Sequence, residues 1–296
     1  MNPILNCELQ NIHPSTQFGK NVTIEAKSII IEENCIIKDN TKIKCLGAFK
    51  LGKFSILGID TKISCNNFIC GEWLYTTEGF EVGRGGCFGP ESNVTIGNNV
   101  GIFERTVINP NSEVTIGDNT GIGSEVMIWT HGAWLDVFQG FPAEFGPVHI
   151  GKNVWLPARS IVLPNVTLGD NSVIGINSLI NKNIPDGAFA AGIPIKIIKE
   201  NVYPKILTDE QKINIINDIL IDWKKLIIFK IKDDANNIYI KLNQFTIELI
   251  YKDQKTYYDT IKLITTGDIN LISEDLRDYL RRRGIKIYTN HFFQSI

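Results

Sequence analysis

A six-residue step runs through residues 150–185. Aliphatic side chains stand at Ile150, Leu156, Val162, Leu168, Ile174 and Ile180, each six residues after the last. Four residues after each come Val154, Ser160, Val166, Ser172, Ser178 and Ile184, mostly small. Neither the ~3.6-residue period of a helix nor plain strand alternation accounts for this spacing. A short strand followed by a sharp corner does. Three such units close a triangular coil of eighteen residues, and stacked coils make a parallel β-helix. The aliphatic residue points inward from each flat face and the small one fills the corner. A one-residue slip would turn the apolar set outward, so the register is well specified.

A second marker follows the coils. Phe18-Gly19-Lys20-Asn21, Ile96-Gly97-Asn98-Asn99, Ile116-Gly117-Asp118-Asn119, Ile150-Gly151-Lys152-Asn153 and Leu168-Gly169-Asp170-Asn171 share the form apolar-Gly-x-Asn. Gly and Asn tolerate the positive φ that a corner demands. Leu168 lies 168 − 150 = 18 residues after Ile150, and Ile116 lies 116 − 96 = 20 after Ile96. Leu51, Leu57, Ile63 and Ile69 keep the step, as do Phe18, Ile24 and Ile30. The register is poorest at residues 74–81, where a small bulge is expected. About eight coils are expected between residues 18 and 185, a prism roughly 40 Å long at ~4.8 Å per coil.

The largest break separates Ile116 from Ile150. It spans 150 − 116 = 34 residues, and one coil of 18 leaves 16 inserted. The insertion falls after Ile128 and contains residues 132–147, with Trp134, Phe138, Phe141 and Phe145. Exposed aromatics in this number are unfavourable, so the loop should dock, either on its own prism or on a neighbouring subunit. Repeat proteins place insertions on their binding faces, which favours the second.

The chain has 296 residues and a formal net charge of −2. That balance gives no bulk attraction to nucleic acid or an anionic membrane. No apolar run reaches the length of a membrane span. The opening MNPILNCELQ lacks the basic and long apolar regions of a signal peptide, so a cytoplasmic location is expected. The cysteines are Cys7, Cys35, Cys45, Cys65, Cys70 and Cys87, with no C-x-x-C among them. They read as reduced thiols serving as small apolar residues, and no metal site is expected.

The repeat stops at Pro185, and a second composition begins near residue 205. Thr208 and Gln211 form a capping box that opens a helix through about Leu226. Strand-like runs follow at 237–242, 245–252 and 257–265, then a helix from Ser273 to Gly284 and a last strand at 285–288. The domains are therefore a β-helix over residues 8–200 with a protruding loop at 131–147, and a small α+β domain over 205–296. Arg281, Arg282 and Arg283 sit at a helix C-terminus, where cations are favoured in any case.

Chemistry has few candidates. The histidines are His13, His131, His149 and His291, too scattered for a three-imidazole zinc site. His131 falls at the corner where the aromatic loop departs, and histidine suits general base work near neutral pH. There is no G-x-S-x-G, and Gly83-Arg84-Gly85-Gly86 lies inside the repeat and opens no helix, so no dinucleotide fingerprint is present.

Thr130-His131, the loop, Ile150-Gly151-Lys152-Asn153-Val154-Trp155, Leu168-Gly169-Asp170-Asn171, Lys182-Asn183-Ile184-Pro185 and Ala191-Gly192-Ile193-Pro194 together resemble the hexapeptide-repeat acyltransferases. That family includes galactoside, maltose, serine and xenobiotic acetyltransferases and sugar acyltransferases of polysaccharide synthesis. The resemblance covers residues 128–199 best and leaves the C-terminal domain outside. It implies a left-handed parallel β-helix, against the right-handed habit of parallel crossovers. It also implies a homotrimer with a site at each subunit interface, acetyl-CoA as acyl donor and no metal.

By the same resemblance His131 is the catalytic base, and Trp155, Ala158, Ile176, Lys182, Gly192, Lys196 and Lys199 line the CoA site. Pro157 and Ile176 stand where Gly and Ala are common, which points to a short acyl group. Asp136 and Glu125 are the carboxylates considered for orienting the imidazole. Asn109, Glu125, Trp134 and Asp136 are the expected acceptor contacts, and aromatic plus carboxylate surfaces suit a sugar or nucleotide sugar. Two rivals remain: a non-catalytic β-helix scaffold, and an acyltransferase fed by an acyl carrier protein.

Overall fold

The computed structural model describes residues 3–85 and 87–296. Gly86 of the glycine cluster, and Met1 and Asn2 of the opening, lie outside the described residues. The chain divides into two compact units, residues 1–205 and 206–296.

The first unit is a parallel β-helix, left-handed as the resemblance implied. Its three sheets hold nine, eight and ten strands among the described residues. The first sheet runs from Ile4–Asn6 to Leu179–Ile180, the second from Leu9–Ile12 to Thr167–Leu168, and the third from Gln17–Phe18 to Phe189–Ala191 and Lys196–Lys199. The last pair is antiparallel and closes the third sheet. Stacking is in register: Ile108 lies beside Ile128, Ile128 beside Val162, and Val162 beside Ile180. All four are fully buried. So are the corner residues Ser160 and Ser172, while Val154, Val166, Ser178 and Ile184 are nearly so. The six-residue reading of 150–185 thus describes the observed core.

Three expectations for the β-helix differ from the structure. Coiling begins at Ile4, one turn before residue 18. Residues 74–81 keep register, with Tyr75 beside Ile56 and Glu81 beside Lys62. The extra residues follow instead: Glu81 pairs with Val107, 107 − 81 = 26 residues on, so the excursion lies between Val82 and Asn93. Finally, Ile30 and Ile69 point outward, and Ile69 is 38% exposed. In the second sheet the strands Ser28–Ile31 and Asn67–Cys70 have four residues. Each places two side chains inward, Ile29 with Ile31 and Phe68 with Cys70, which shifts the phase by one.

Cys45 and Cys65 lie opposite each other on adjacent coils as buried free thiols. The hydrogen bond with Cys45, reinforced by burial, pushes the Cys65 thiol up.

Corners use left-handed backbone. One column follows the third sheet: Asn21, Asn40, Asp60, Gly79, Arg105, Glu125, Arg159 and Asn177, all at positive φ. The amide of each from Asn40 on donates to a carbonyl of the corner one coil earlier.

The second unit packs two helices with a four-stranded antiparallel sheet around buried Trp223, Tyr258 and Leu276. Helix α1 (Asp209–Ile231) carries the expected Thr208–Gln211 capping box and runs five residues past Leu226. The strands are Ile238–Asn243, Thr246–Tyr251, Gln254–Asp259 and Ile264–Gly267, so the run at 257–265 is split by a turn. Helix α2 (Leu271–Arg282) is capped by Asn270, which accepts from the Ser273 amide. Residues 285–288 form no strand. Arg277 explains this: it is fully buried, grips Glu274, and its guanidinium donates to the carbonyls of Ile287, His291 and Phe292. The tail's carbonyls are taken by a side chain rather than by a strand partner.

Candidate active site

His131 lies at the neck of the long insertion. His131–Gly132 pairs antiparallel with Glu144–Phe145, closing the loop as a small hairpin. Thr130 pins its base. That side chain is fully buried, donates to the Asn109 carbonyl at 2.8 Å and accepts from the Ser112 amide at 3.0 Å. The Gly146 amide then donates to the Thr130 carbonyl at 2.9 Å. The corner cannot slide, so the imidazole has a fixed station.

The ring itself is held by aromatics. It stacks on Phe145 with centroids 5.9 Å apart and meets Trp129 edge-on at 6.2 Å. Nδ1 is buried and has no hydrogen-bond partner. That leaves Nε2 as the ring nitrogen an incoming substrate could reach. Neither carboxylate considered for orienting the ring is bonded to it. Glu125 accepts from Arg105 Nη2 at 2.7 Å and Arg159 Nε at 2.8 Å, which holds its carboxyl below the usual range. Asp136 caps a short 3-10 turn, accepting from the Phe138 amide and from Gln139. His149 faces out from the second sheet and bonds Thr115 through Nδ1 at 2.9 Å.

The expected acceptor contacts divide. Trp134 is 95% exposed on the loop and Asp136 stands beside it, also exposed. Asn109 is fully buried, with Nδ2 donating to the carbonyls of Gly83 and Arg84 and Oδ1 unpartnered. The excursion after Val82 therefore covers Asn109. Sequence reasoning placed that excursion too early and so missed its lid over this strand.

Of the expected CoA-site residues, Trp155, Ala158, Ile176, Gly192, Lys196 and Lys199 gather on the third sheet and its edges, and Lys182 does not. Trp155 is half exposed and lies flat over Gly121, where a Cβ would come within 2.8 Å of the indole. Ala158 and Ile176 are equivalent corner positions one coil apart, tied by the Asn177 amide donating to the Ala158 carbonyl at 3.0 Å. Gly123 accommodates that corner: a Cβ there would meet the Ala158 nitrogen at 2.3 Å. Ile176 projects into solvent, 69% exposed. Gly192, at φ 111°, turns the chain toward the strand bearing exposed Lys196 and Lys199. Lys182 is exposed at the other edge of the first sheet, after Leu179–Ile180. In one chain, then, His131 and the Ala158–Ile176 corner lie at opposite edges of the first sheet.

Residues 147–182 match the bacterial transferase hexapeptide family, six repeats. The galactoside O-acetyltransferase of Escherichia coli is 48% identical over 54 residues, 18% of this chain and 27% of that protein. A putative acetyltransferase of Saccharomyces cerevisiae is 39% identical over 112 residues, 37% of this chain and 57% of that one. A galactoside acetyltransferase solved with coenzyme A is 28% identical, with a TM-score of 0.37, covering 46% of this chain and 74% of that one. The matched stretch spans well under two thirds of these curated relatives' lengths. The chain carries the hexapeptide repeat and resembles the acyltransferases built on it.

Proposed function

We propose that the protein is a CoA-dependent acyltransferase that moves a short acyl group, acetyl by preference, to a hydroxyl or amine of a sugar or nucleotide sugar. The observation carrying this is His131, fixed at the neck of the one long aromatic insertion of a repeat shared with named acetyltransferases. The residues fit a donor with an apolar arm and an anionic end. Trp155 and Ile176 offer exposed apolar surface, and Lys182, Lys196 and Lys199 offer exposed cations. Lysines would meet phosphate as point charges. CoA supplies the acyl thioester.

His131 Nε2 takes the proton from the acceptor as its oxygen or nitrogen attacks the thioester carbonyl. The new ester or amide bond forms, the carbon–sulfur bond breaks, and the imidazolium returns the proton to the departing sulfur. Trp134 and Asp136 are placed on the loop to touch the acceptor.

The site is completed by a neighbouring copy. Trp134 and Phe138 are 95% and 97% exposed, and His131 is separated from the Ala158–Ile176 corner by the width of a sheet. A homotrimer joining the corner of one subunit to the histidine edge of the next answers both. We place the enzyme in the cytoplasm, where acetyl-CoA is made.

Thiol release from acetyl-CoA, screened against sugars and nucleotide sugars, tests this. Acceptor-dependent release that disappears in His131→Ala supports it. CoA binding with no release for any acceptor favours a scaffold, and release only from an acyl carrier protein changes the donor.

A further inference from the structure

The outer face of the first sheet carries an arginine-lined pocket of about 420 Å³. Its floor is apolar: Val107, Met127 and Ile161. Its rim is Arg84, Arg105 and Arg159 around Glu125. The Glu125 carboxylate bridges two coils, accepting from Arg105 on one side and Arg159 on the other. It spends one N–H of each guanidinium and leaves the rest directed elsewhere. Arg84 is steadied by Glu81 at 2.9 Å. Three guanidiniums and two carboxylates, Glu81 and Glu125, are paired here, while Glu78 and Glu104 lie near Arg105 outside the pocket's lining.

The fold does not need arginine here. Arg105, Glu125 and Arg159 stand in the corner column at φ 55°, 60° and 61°, a conformation that Asn and Asp adopt most readily. Elsewhere the same column uses them: Asn21 donates to Asn40, and Asn40 to Asp60, each at 3.0 Å. Asn177 resumes the pattern one coil after Arg159. After Gly79 the column becomes an Arg–Glu–Arg ladder at the level of the pocket, with asparagine or aspartate corners on the coils beyond at either end. Side chains 66% and 70% exposed, as those of Arg105 and Arg159 are, contribute little stability by pairing.

We propose that this pocket binds the anionic group of the acceptor, a carboxylate or a phosphate, against the free N–H groups of Arg84, Arg105 and Arg159. Guanidinium forks suit such planar or tetrahedral oxyanions. The floor leads toward the base: Met127 opens the strand Met127–Trp129, and His131 follows across the corner at Thr130, four residues on and at most about 13 Å of extended chain away. An acceptor with its anion a sugar ring or two from the acylated group would span that distance, with its apolar ring face on Met127 and Ile161. The assignment to the acceptor rests on the acyl transfer proposed above; the anion site does not.

Calorimetric titration at constant ionic strength tests the site with three probes: UDP-glucose, methyl glucuronide and neutral methyl glucoside. The variants are Arg105→Asn and Arg159→Asn, which restore the residue the corner prefers and so keep the fold. Saturable binding of at least one anionic probe, weakened about tenfold or more in both variants, with none of the neutral glycoside, is expected. UDP-glucose alone marks a phosphate site and the glucuronide alone a carboxylate site. No saturable anion binding, or binding indifferent to both substitutions, overturns the proposal whatever the transfer assay shows. Thiol release separates the two readings. Transfer to neutral sugars at unchanged KM in both variants overturns the acceptor role and leaves the enzyme. Anion binding lost with the arginines but with no thiol release for any acceptor sinks the acyltransferase and keeps the anion site.

Discussion

His131 lies stacked on Phe145, its partner across the hairpin neck, with 5.9 Å between ring centroids and 16° between planes. The loop's return strand therefore sets the plane of the imidazole, a task that no carboxylate performs among the described residues. Phe145→Ala should lower kcat by loosening the ring while CoA affinity holds, and Phe145→Tyr should preserve the stack and most of the rate. Such stacking contributes about 0.5–1.5 kcal/mol, so a loss near tenfold is expected in steady-state thiol release. Equal rates for Phe145→Ala and wild type would remove Phe145 from the positioning of the base.

Replacing His131 itself should separate chemistry from folding. The inward set beside it, Ile128, Ile150 and Val162, is untouched by the change. His131→Ala is expected to melt within a few degrees of wild type and to bind CoA normally, with turnover down about 100- to 10,000-fold. His131→Asn should be nearly as inactive, since it keeps hydrogen bonding without basicity. If either variant turns over at near-normal rates, His149 is the next residue to test, although its bond to Thr115 occupies Nδ1.

Much of this was legible in the sequence because the period is itself the packing rule. Ile150, Leu156, Val162, Leu168, Ile174 and Ile180 are inward because six residues make one face and corner. Ile69 was misread for the same reason: a strand of four residues has two inward positions, and hydrophobicity does not distinguish Ile69 from Phe68 or Cys70. The excursion between Val82 and Asn93 was displaced in the reading because Gly-rich sequence there resembles a corner. The Arg105–Glu125–Arg159 ladder was invisible. Its partners are 20 and 34 residues apart, and only the stacking of unequal coils brings them together.

Close stacking at the corners is testable through glycine. Gly123→Ala would drive a Cβ to 2.3 Å from the Ala158 nitrogen and 2.7 Å from the Pro157 carbonyl carbon, both backbone atoms. The coil must part there, at a cost of about 2 kcal/mol, and the Ala158 corner moves with it. Urea unfolding should show the loss, and CoA affinity should fall with it. Gly132→Ala, which meets nothing within 4 Å, is the control and should be neutral. A Gly123→Ala protein as stable as wild type would contradict the contact.

The buried thiols set a limit on alkaline stability. Burial raises Cys35 to about 11 and Cys70 to about 12, from 9.0. Below pH 9 both states hold the proton and stability is unaffected. As pH rises past 9 the unfolded chain ionises while the native thiols stay protonated. The native state then binds more protons, and stability falls with pH. Each thiol withdraws up to about 1.4 kcal/mol per pH unit until its folded value is reached. Urea unfolding in reductant between about pH 8 and about pH 10.5 should show this decline, and it should be shallower in a Cys35→Ala, Cys70→Ala double variant. A double variant with the same slope would show that other groups cause it.

The loop at 132–147 presents Trp134, Leu135, Val137, Phe138 and Phe145 to solvent in a single chain, each more than half exposed. Neighbouring apolar side chains in that number rarely remain bare on a monomer. Their hairpin neck and the Asp136 cap hold the segment in a definite shape, so it is built to fit a surface rather than to collapse. In the trimer we propose, that surface is the next subunit. Light scattering at micromolar concentration should give one species of three chains. Trp134→Ser with Phe138→Ser should shift it toward monomer and abolish transfer, because the histidine edge and the Ala158–Ile176 corner would no longer meet. The prism's own register does not involve either side chain, so the variant should still unfold cooperatively in urea. A wild-type monomer of 33.2 kDa would defeat the interfacial site outright. A variant that stays trimeric and active would instead free the loop's aromatics from the interface.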